Sequence, residues 1–317
     1  MSVLICFIAV VVLCYVIVYY VVFRGMGFSS SVKLQGKTVI VTGSNNGIGK
    51  ATALDLAKRG ARVILACRNM EKAEAAAFDI RGESGNNQVV FMHLDLASLK
   101  SVKTFAETFL KSEPRLDILV NNAGVLSPGR TDDDFGMAFG VNHLGHFLLT
   151  NLLLERMQRS GPSRVVTVAS HLHCIGNIKF SLLTSKKDSV TGDYIWHNFQ
   201  AYCNSKLCNM LFIRELANRL EGTCVTCYSL HPGVVYTEMG RNINWWLQLF
   251  LIPFAKLFFM DPERGSQTTL YCSLQEGIEP LSGRYFSNCA LQEVGSRARD
   301  DTLAKKLWEL SEKFSSS

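Results

Sequence analysis

Tyr202 and Lys206 stand four positions apart in Tyr202-Cys-Asn-Ser-Lys206. On a helix that spacing puts the phenol and the ammonium on one face. A free phenol has a pKa near ~10 and exchanges protons poorly at neutral pH, whereas a cation beside it favours the phenolate and brings that value down. The pair therefore reads as an acid/base couple. Ser170 closes the β-rich run Arg164-Val-Val-Thr-Val-Ala-Ser170, so its hydroxyl projects from a strand end, where it can hold an oxygen and stabilise charge developing there. Asn142 lies inside a long helical stretch, in Gly140-Val-Asn-His-Leu-Gly145. A backbone irregularity there would let it position a water behind Lys206 and connect the proton to solvent. Each residue alone has an ordinary structural reading. Their order behind a glycine-rich turn gives the set its meaning.

That turn reads Thr42-Gly-Ser-Asn-Asn-Gly-Ile-Gly49 and joins a short β-rich run to helical spacing. Gly43 allows a tight exit from the strand. Gly47 and Gly49 allow close approach of a pyrophosphate and of the helix to the sheet. With Ser44, Asn45, Asn46 and Ile48 they form the expected cradle, in which free N–H groups at the helix start face an anion. The spacing G-x-x-x-G-x-G departs from the common dinucleotide fingerprint G-x-G-x-x-G. An acid at the end of the second strand would grip the ribose 2′-hydroxyl of NAD. Here Cys67 occupies that position and Arg68 follows, a guanidinium suited to a 2′-phosphate, so the expected cofactor is NADP(H). Asp95, beside Leu96 at the end of the third strand, is expected to accept from the adenine amino group. Asn122 is expected to pin neighbouring strands, while Ala123 and Gly124 let the backbone lie close to the cofactor. Lys206 would then reach the nicotinamide ribose, and Ser170 would hold the substrate oxygen as hydride moves.

These groups need a scaffold of strand ends. Apolar runs at 38–42, 62–67, 88–93, 116–120, 164–169 and 225–230 read as strands. Helical patterns at 47–59, 71–81, 98–111, 132–159 and 201–220 fill the gaps. Repeated βα units with apolar strands predict an α/β fold, a doubly wound parallel sheet with helices on both faces. No internal repeat is visible, and the closing serines 315–317 read as a frayed tail. The expected division is a catalytic domain over 37–300, with an apolar lid at 238–262, and a C-terminal helix and tail over 301–317.

With 317 residues, 48% hydrophobic and 19% charged, the chain is long enough to bury a large core and is not disordered. A net charge of +6 suits anionic ligands or an anionic membrane surface, but is too dispersed for nucleic acid. Positions 3–23 carry no charge, Pro or Gly, enough for a membrane-crossing helix, with Tyr15, Tyr19 and Tyr20 toward its far end. Arg24, Lys33 and Lys37 follow, and no Lys or Arg precedes. Residues 1–24 are therefore an expected anchor and 25–36 a linker, with a lumenal N-terminus and a cytosolic catalytic domain. A cleaved signal peptide is the alternative, disfavoured by the missing basic n-region and cleavage site.

Ten cysteines in so long a chain read as free thiols, including the Cys224-x-x-Cys227 pair, whose members should face opposite ways on a strand. His143, His146, His171 and His173 lack the carboxylates or cysteines that would complete a metal site, so no metal is expected. Positions 242–260, with Trp245, Trp246 and a Phe cluster, are too interrupted by Pro253 and Lys256 for a second span. They suit a lid or a membrane-contacting face over a lipophilic substrate.

The motifs TGSNNGIG, NNAG, Asn142, Ser170, YCNSK and His231-Pro-Gly233 resemble the short-chain dehydrogenase/reductase family over most of the chain. LACRN, VNHLGHFLLT and AYCNSK resemble its membrane-anchored, NADP(H)-using retinol dehydrogenases. The resemblance implies a Rossmann fold and a catalytic tetrad of Asn142, Ser170, Tyr202 and Lys206, with Tyr202 as general acid/base. It also implies that Pro232, Gly233, Val235 and Thr237 flank the nicotinamide end, and that the enzyme sits in the endoplasmic reticulum and pairs as a homodimer. Two departures stand out: Ala169-Ser170 replaces the common Ser-Ser, and Asn46 a commoner Thr or Ser. An NADP(H)-dependent oxidoreductase for a lipophilic alcohol/carbonyl pair is the expected function. A catalytically silent cofactor-binding membrane scaffold and a steroid keto-reductase are the alternatives.

Overall fold

The computed structural model describes residues 27–180, 194–235 and 260–316, with Val10 and Tyr15, both helical. Most of the expected anchor, Thr237 and nearly all of the expected lid lie outside the described residues. Among the described residues no helix is long and apolar enough to cross a membrane.

Among the described residues eight strands form one sheet in the order β3-β2-β1-β4-β5-β6-β7-β8. They are β1 (Thr38–Thr42), β2 (Arg62–Cys67), β3 (Val89–His93), β4 (Ile118–Asn121), β5 (Ser163–Val168), β6 (Val225–His231), β7 (Tyr285–Ser287) and β8 (Ala290–Gln292). All pairings are parallel except β7 with β8. β1 is buried along its whole length, as a strand covered on both faces must be, and its apolar run follows from that.

The two faces take alternate residues. Ile40, Ile64 and Leu119 join one core with Phe105, Phe109, Phe147, Leu211 and Trp308, while Val39, Val41, Val63 and Val120 join the other with Leu56, Ile80 and Leu270. Each fully buried side chain of this size contributes about 1.5–3 kcal/mol. Helices α1 (Gly47–Lys58), α2 (Met70–Ser84) and α3 (Leu99–Ser112) follow the first three strands. α3 buries Leu99, Val102, Phe105, Ala106 and Phe109, one stripe at helical spacing. α2 is capped by Asn69, whose side chain accepts from Lys72 N at 2.8 Å, and stops at Gly85 in the left-handed region.

After β4, a short α4 (Met137–Phe139) widens into a π turn (Gly140–Leu144) and continues as α5 (Gly145–Arg159). The helix expected from 132 therefore begins at Met137, because the three consecutive aspartates form a turn in which Asp134 takes φ 65. α6 (Tyr194–Arg219) precedes β6, and α7 (Pro262–Leu274) and α8 (Asp301–Ser316) complete the chain. α8 is no loose tail. Its Leu307 and Trp308 belong to the main core, Trp308 packs 4.9 Å from Phe147, and Ser315, expected to fray, is buried.

The strand order reverses between β1 and β4, and the space outside their carboxyl ends is the usual ligand position of such sheets.

Candidate active site

The turn after β1 needs its glycines. Gly43 and Gly47 take φ 63 and φ 54, and a Cβ on Gly49 would come within 2.5 Å of Gly43 O. Ser44 is fully buried and donates to Val41 O at 2.8 Å, so its hydroxyl shapes the turn. α1 carries no acid in its first turn, leaving its N-terminus electropositive. Asn122 Nδ2 donates to Thr42 O at 2.8 Å, tying the end of β4 to the end of β1.

At the end of β2, Cys67 is buried and Arg68 exposed, with no ion pair to a described residue. Asp95 is half-buried; its Oδ1 accepts from Ala97 N at 2.9 Å and its own N–H donates to Ser101 Oγ. Leu96 is buried under Gly145, where a Cβ would meet Leu96 O at 2.7 Å. Beyond β6, Gly233 takes φ 88 and Val235 packs over Gly265 alongside Ile48, so the His231-Pro-Gly233 end returns to the glycine turn. These features suit a dinucleotide phosphate, with close backbone at Gly49, an acid-free helix start and a free guanidinium at Arg68.

Asn142, Ser170, Tyr202 and Lys206 all lie nearby and are buried. Lys206 Nζ donates to Val168 O at 2.9 Å and sits 5.5 Å from the centroid of the Tyr202 ring. A Cβ on Gly124 would stand 3.4 Å from that Nζ, so the backbone after β4 runs directly over the lysine. Burial pulls the Lys206 ammonium down to about 8. Burial also pushes the Tyr202 phenol up to about 12, against a hydrogen bond with Ser170 that lowers it. The expectation of a phenol made acidic by Lys206 is thus not met by the protein's own groups. The ammonium meets the ring, its proton goes to a main-chain oxygen, and desolvation outweighs the rest. Ser170 Oγ accepts from Leu172 N at 3.2 Å and starts the 3-10 turn His171–Ile175.

Asn142 falls in the π turn, the backbone irregularity its position called for. Its Oδ1 accepts from Val125 N at 2.7 Å and its Nδ2 donates to Val125 O and to Ser205 Oγ at 2.9 Å. The amide braces the loop after β4 against α6. Ser205 was legible only as filler in the Tyr202–Lys206 motif, yet its hydroxyl joins Asn142 to Tyr202 O.

His146 is the residue most undervalued by sequence alone. Its Nδ1 lies 3.1 Å from Asn142 O, which can only accept, so Nδ1 carries the proton. Nε2 therefore accepts from Thr42 Oγ1 at 2.9 Å. Thr42 Oγ1 in turn accepts from Asn122 N and Ala123 N, both at 2.9 Å. One imidazole thus links β1, β4 and the π turn. His143, one turn earlier, contacts Ser311 of α8 at 2.9 Å. Burial lowers His143 to about 3 and His146 to about 4. Among the described residues no group of three or more His, Cys, Asp or Glu is placed to hold a metal. Cys224 is exposed and Cys227 buried, and neither is in a disulfide.

A family model described as short chain dehydrogenase matches residues 37–192 and 185–248. Dehydrogenase/reductase SDR family member 13 of Bos taurus is 56% identical over 302 residues, 95% of this chain and 78% of that protein. Retinol dehydrogenase 12 of Homo sapiens is 50% identical over 293 residues, 91% of this chain and 89% of its own length. Among solved structures, an uncharacterized protein of Mycobacterium paratuberculosis superposes with a TM-score of 0.72 at 34% identity, covering 92% of this chain and 98% of that one.

Proposed function

The chain belongs to the short-chain dehydrogenase family, and from that premise we propose that it is an NADP(H)-dependent oxidoreductase interconverting a lipophilic alcohol and its aldehyde or ketone. The observation that carries this reading is the convergence of Tyr202, Ser170 and Lys206 beside a glycine turn whose Gly49 leaves no room for a side chain.

NADP(H), when bound, supplies or takes the hydride. Gly43–Gly49 would hold its pyrophosphate, Arg68 its 2′-phosphate, Asp95 and Leu96 its adenine, Asn122–Gly124 its backbone-facing side, and Pro232, Gly233, Val235 and Thr237 its nicotinamide end. Ser170 holds the substrate oxygen. Tyr202 is a neutral phenol at pH 7, the form that donates a proton in the reductive direction. Lys206, mostly protonated at pH 7, would stabilise the phenolate left behind and would hold the nicotinamide ribose when the cofactor is bound. Asn142 connects this pair to solvent through a water.

The substrate class, a retinoid or lipid aldehyde, is supported by the apolar stretch 242–260 and by the retinol dehydrogenase relatives. Membrane anchoring through residues 1–24, residence in the endoplasmic reticulum with a cytosolic catalytic domain, and homodimer formation belong to the same proposal.

NADPH and NADH oxidation by membrane-embedded protein, measured against retinoid and lipid aldehydes, steroid ketones and small polar carbonyls, tests it. Turnover of the lipophilic aldehydes with NADPH, lost in Tyr202→Phe, is expected. Cofactor binding without any turnover would establish the silent scaffold instead. Preference for steroid ketones would establish the keto-reductase, and turnover of polar carbonyls alone would overturn the lipophilic assignment.

A further inference from the structure

Beside the quartet, a second cluster joins a nucleophile, a base and a cation. Cys174 is exposed on the turn His171–Ile175, and its Sγ lies 3.5 Å from His173 Nε2. His173 Nδ1 is 2.7 Å from the Ser170 carbonyl oxygen, so Nδ1 carries the proton and Nε2 faces the thiol as an acceptor. His173 is buried, and burial pulls its pKa below the ordinary 6.5, keeping the imidazole neutral at pH 7. A carbonyl orients the base and the base faces the nucleophile, the relationship that activates a thiol.

His173 and Cys174 line a cavity of about 230 Å³ together with Leu207, Gly295, Arg297 and Ala298. Arg297 Nη1 donates to Gly176 O at 2.9 Å, which fixes the guanidinium at the wall. Tyr285 packs its ring 5.0 Å from that of His173 and is buried, and its hydroxyl has no hydrogen-bond partner among the described residues. Thiol, base and cation on one cavity together suit a ligand with an electrophilic carbon conjugated to an oxygen acceptor.

We propose that Cys174 is a covalent addition site for α,β-unsaturated carbonyl compounds, with His173 as its base. The thiol proton passes to His173 Nε2 as sulfur bonds to the β-carbon. The carbon–carbon π electrons shift to leave an enolate oxygen, with Arg297 at the cavity wall as the nearby cation. The proton then returns from His173 to the α-carbon, giving a saturated thioether. No oxidant is consumed and no group leaves, and the proposal does not depend on the oxidoreductase reading.

Full-length protein is treated at pH 7 with trans-2-hexenal, fixed with borohydride and mapped by peptide mass spectrometry. Cys224 is the internal control, exposed but donating to Gln158 O at 3.3 Å instead of facing a base. Cys174 is expected to react roughly a hundredfold faster than Cys224, and His173→Gln to slow Cys174 roughly a hundredfold, to about the Cys224 rate, with Cys224 unchanged. If His173→Gln does not fold, the ratio of the two cysteines in the unmodified protein decides. Equal rates at Cys174 and Cys224, or an unaltered Cys174 rate in a folded His173→Gln protein, overturn the proposal.

Discussion

Thr42 donates its hydroxyl to His146 Nε2 across 2.9 Å, so the last residue of β1 is tied to the helix that carries Asn142. Both partners are buried, and breaking the bond strands polar atoms away from water. His146→Phe is expected to weaken NADPH binding roughly tenfold, which is about 1.4 kcal/mol. Thr42→Val should weaken it by a similar factor. The double variant should fall short of the sum by about 1 kcal/mol, since one connection is broken in all three. Titration of NADPH by fluorescence measures this, and strictly additive effects would show that the two side chains act separately.

His143 and His146 make the fold sensitive to mild acid. Both have pKa values lowered by burial, to about 3 and about 4, so between these values and 6.5 the unfolded chain binds protons that the folded one refuses. Stability is fully present above 6.5 and is lost as pH falls toward the folded values. The slope approaches about 1.4 kcal/mol per pH unit for each histidine. Urea unfolding at pH 7.5, 6.0 and 5.0 should show this loss, and His143→Phe should flatten it. Parallel slopes in the two proteins would assign the acid sensitivity elsewhere.

Lys206 should set the alkaline limb of the reaction. Its ammonium, lowered to about 8 by burial, is needed in the charged form to stabilise the Tyr202 phenolate. Reductive kcat/KM should therefore fall as pH rises through about 8. Lys206→Arg, which stays charged, should lose that limb whatever its effect on the maximum rate. A pH profile of unchanged shape in the arginine variant would remove the ammonium from this role.

Arg68 should decide between the two nicotinamide cofactors. Removing a guanidinium that pairs with a 2′-phosphate costs about 1.5–3 kcal/mol, or roughly 10–100-fold in affinity. Arg68→Ala should raise KM for NADPH by that factor and leave KM for NADH unchanged. Equal effects on both would make Arg68 a general surface charge.

The first six strands were legible because their apolar runs are long and punctuated by turns. β7 and β8 were not, since Tyr285–Ser287 and Ala290–Gln292 are too short to show a period. The glycine turn was legible through its spacing, and the Tyr202/Lys206 pair through its helical register. The balance of forces on that pair was not, because burial and the carbonyl of Val168 come from chain remote in sequence. His146 illustrates the same limit. In sequence it was one of several histidines to be weighed as a metal ligand, and only the fold sets Thr42 against it.

α8 closes the structure in more than the spatial sense. Its Ser311 rests on His143 in the π turn, and its Trp308 wedges beside Phe147 and Phe212, so a helix more than 150 positions further along the chain supports the segment bearing Asn142. A nascent chain can assemble its leading βα units as they emerge, yet the π turn stays unsupported until α8 has been made. A chain cut off before or within Asp301–Ser316 would therefore leave a protein with an intact glycine turn and an unbraced centre.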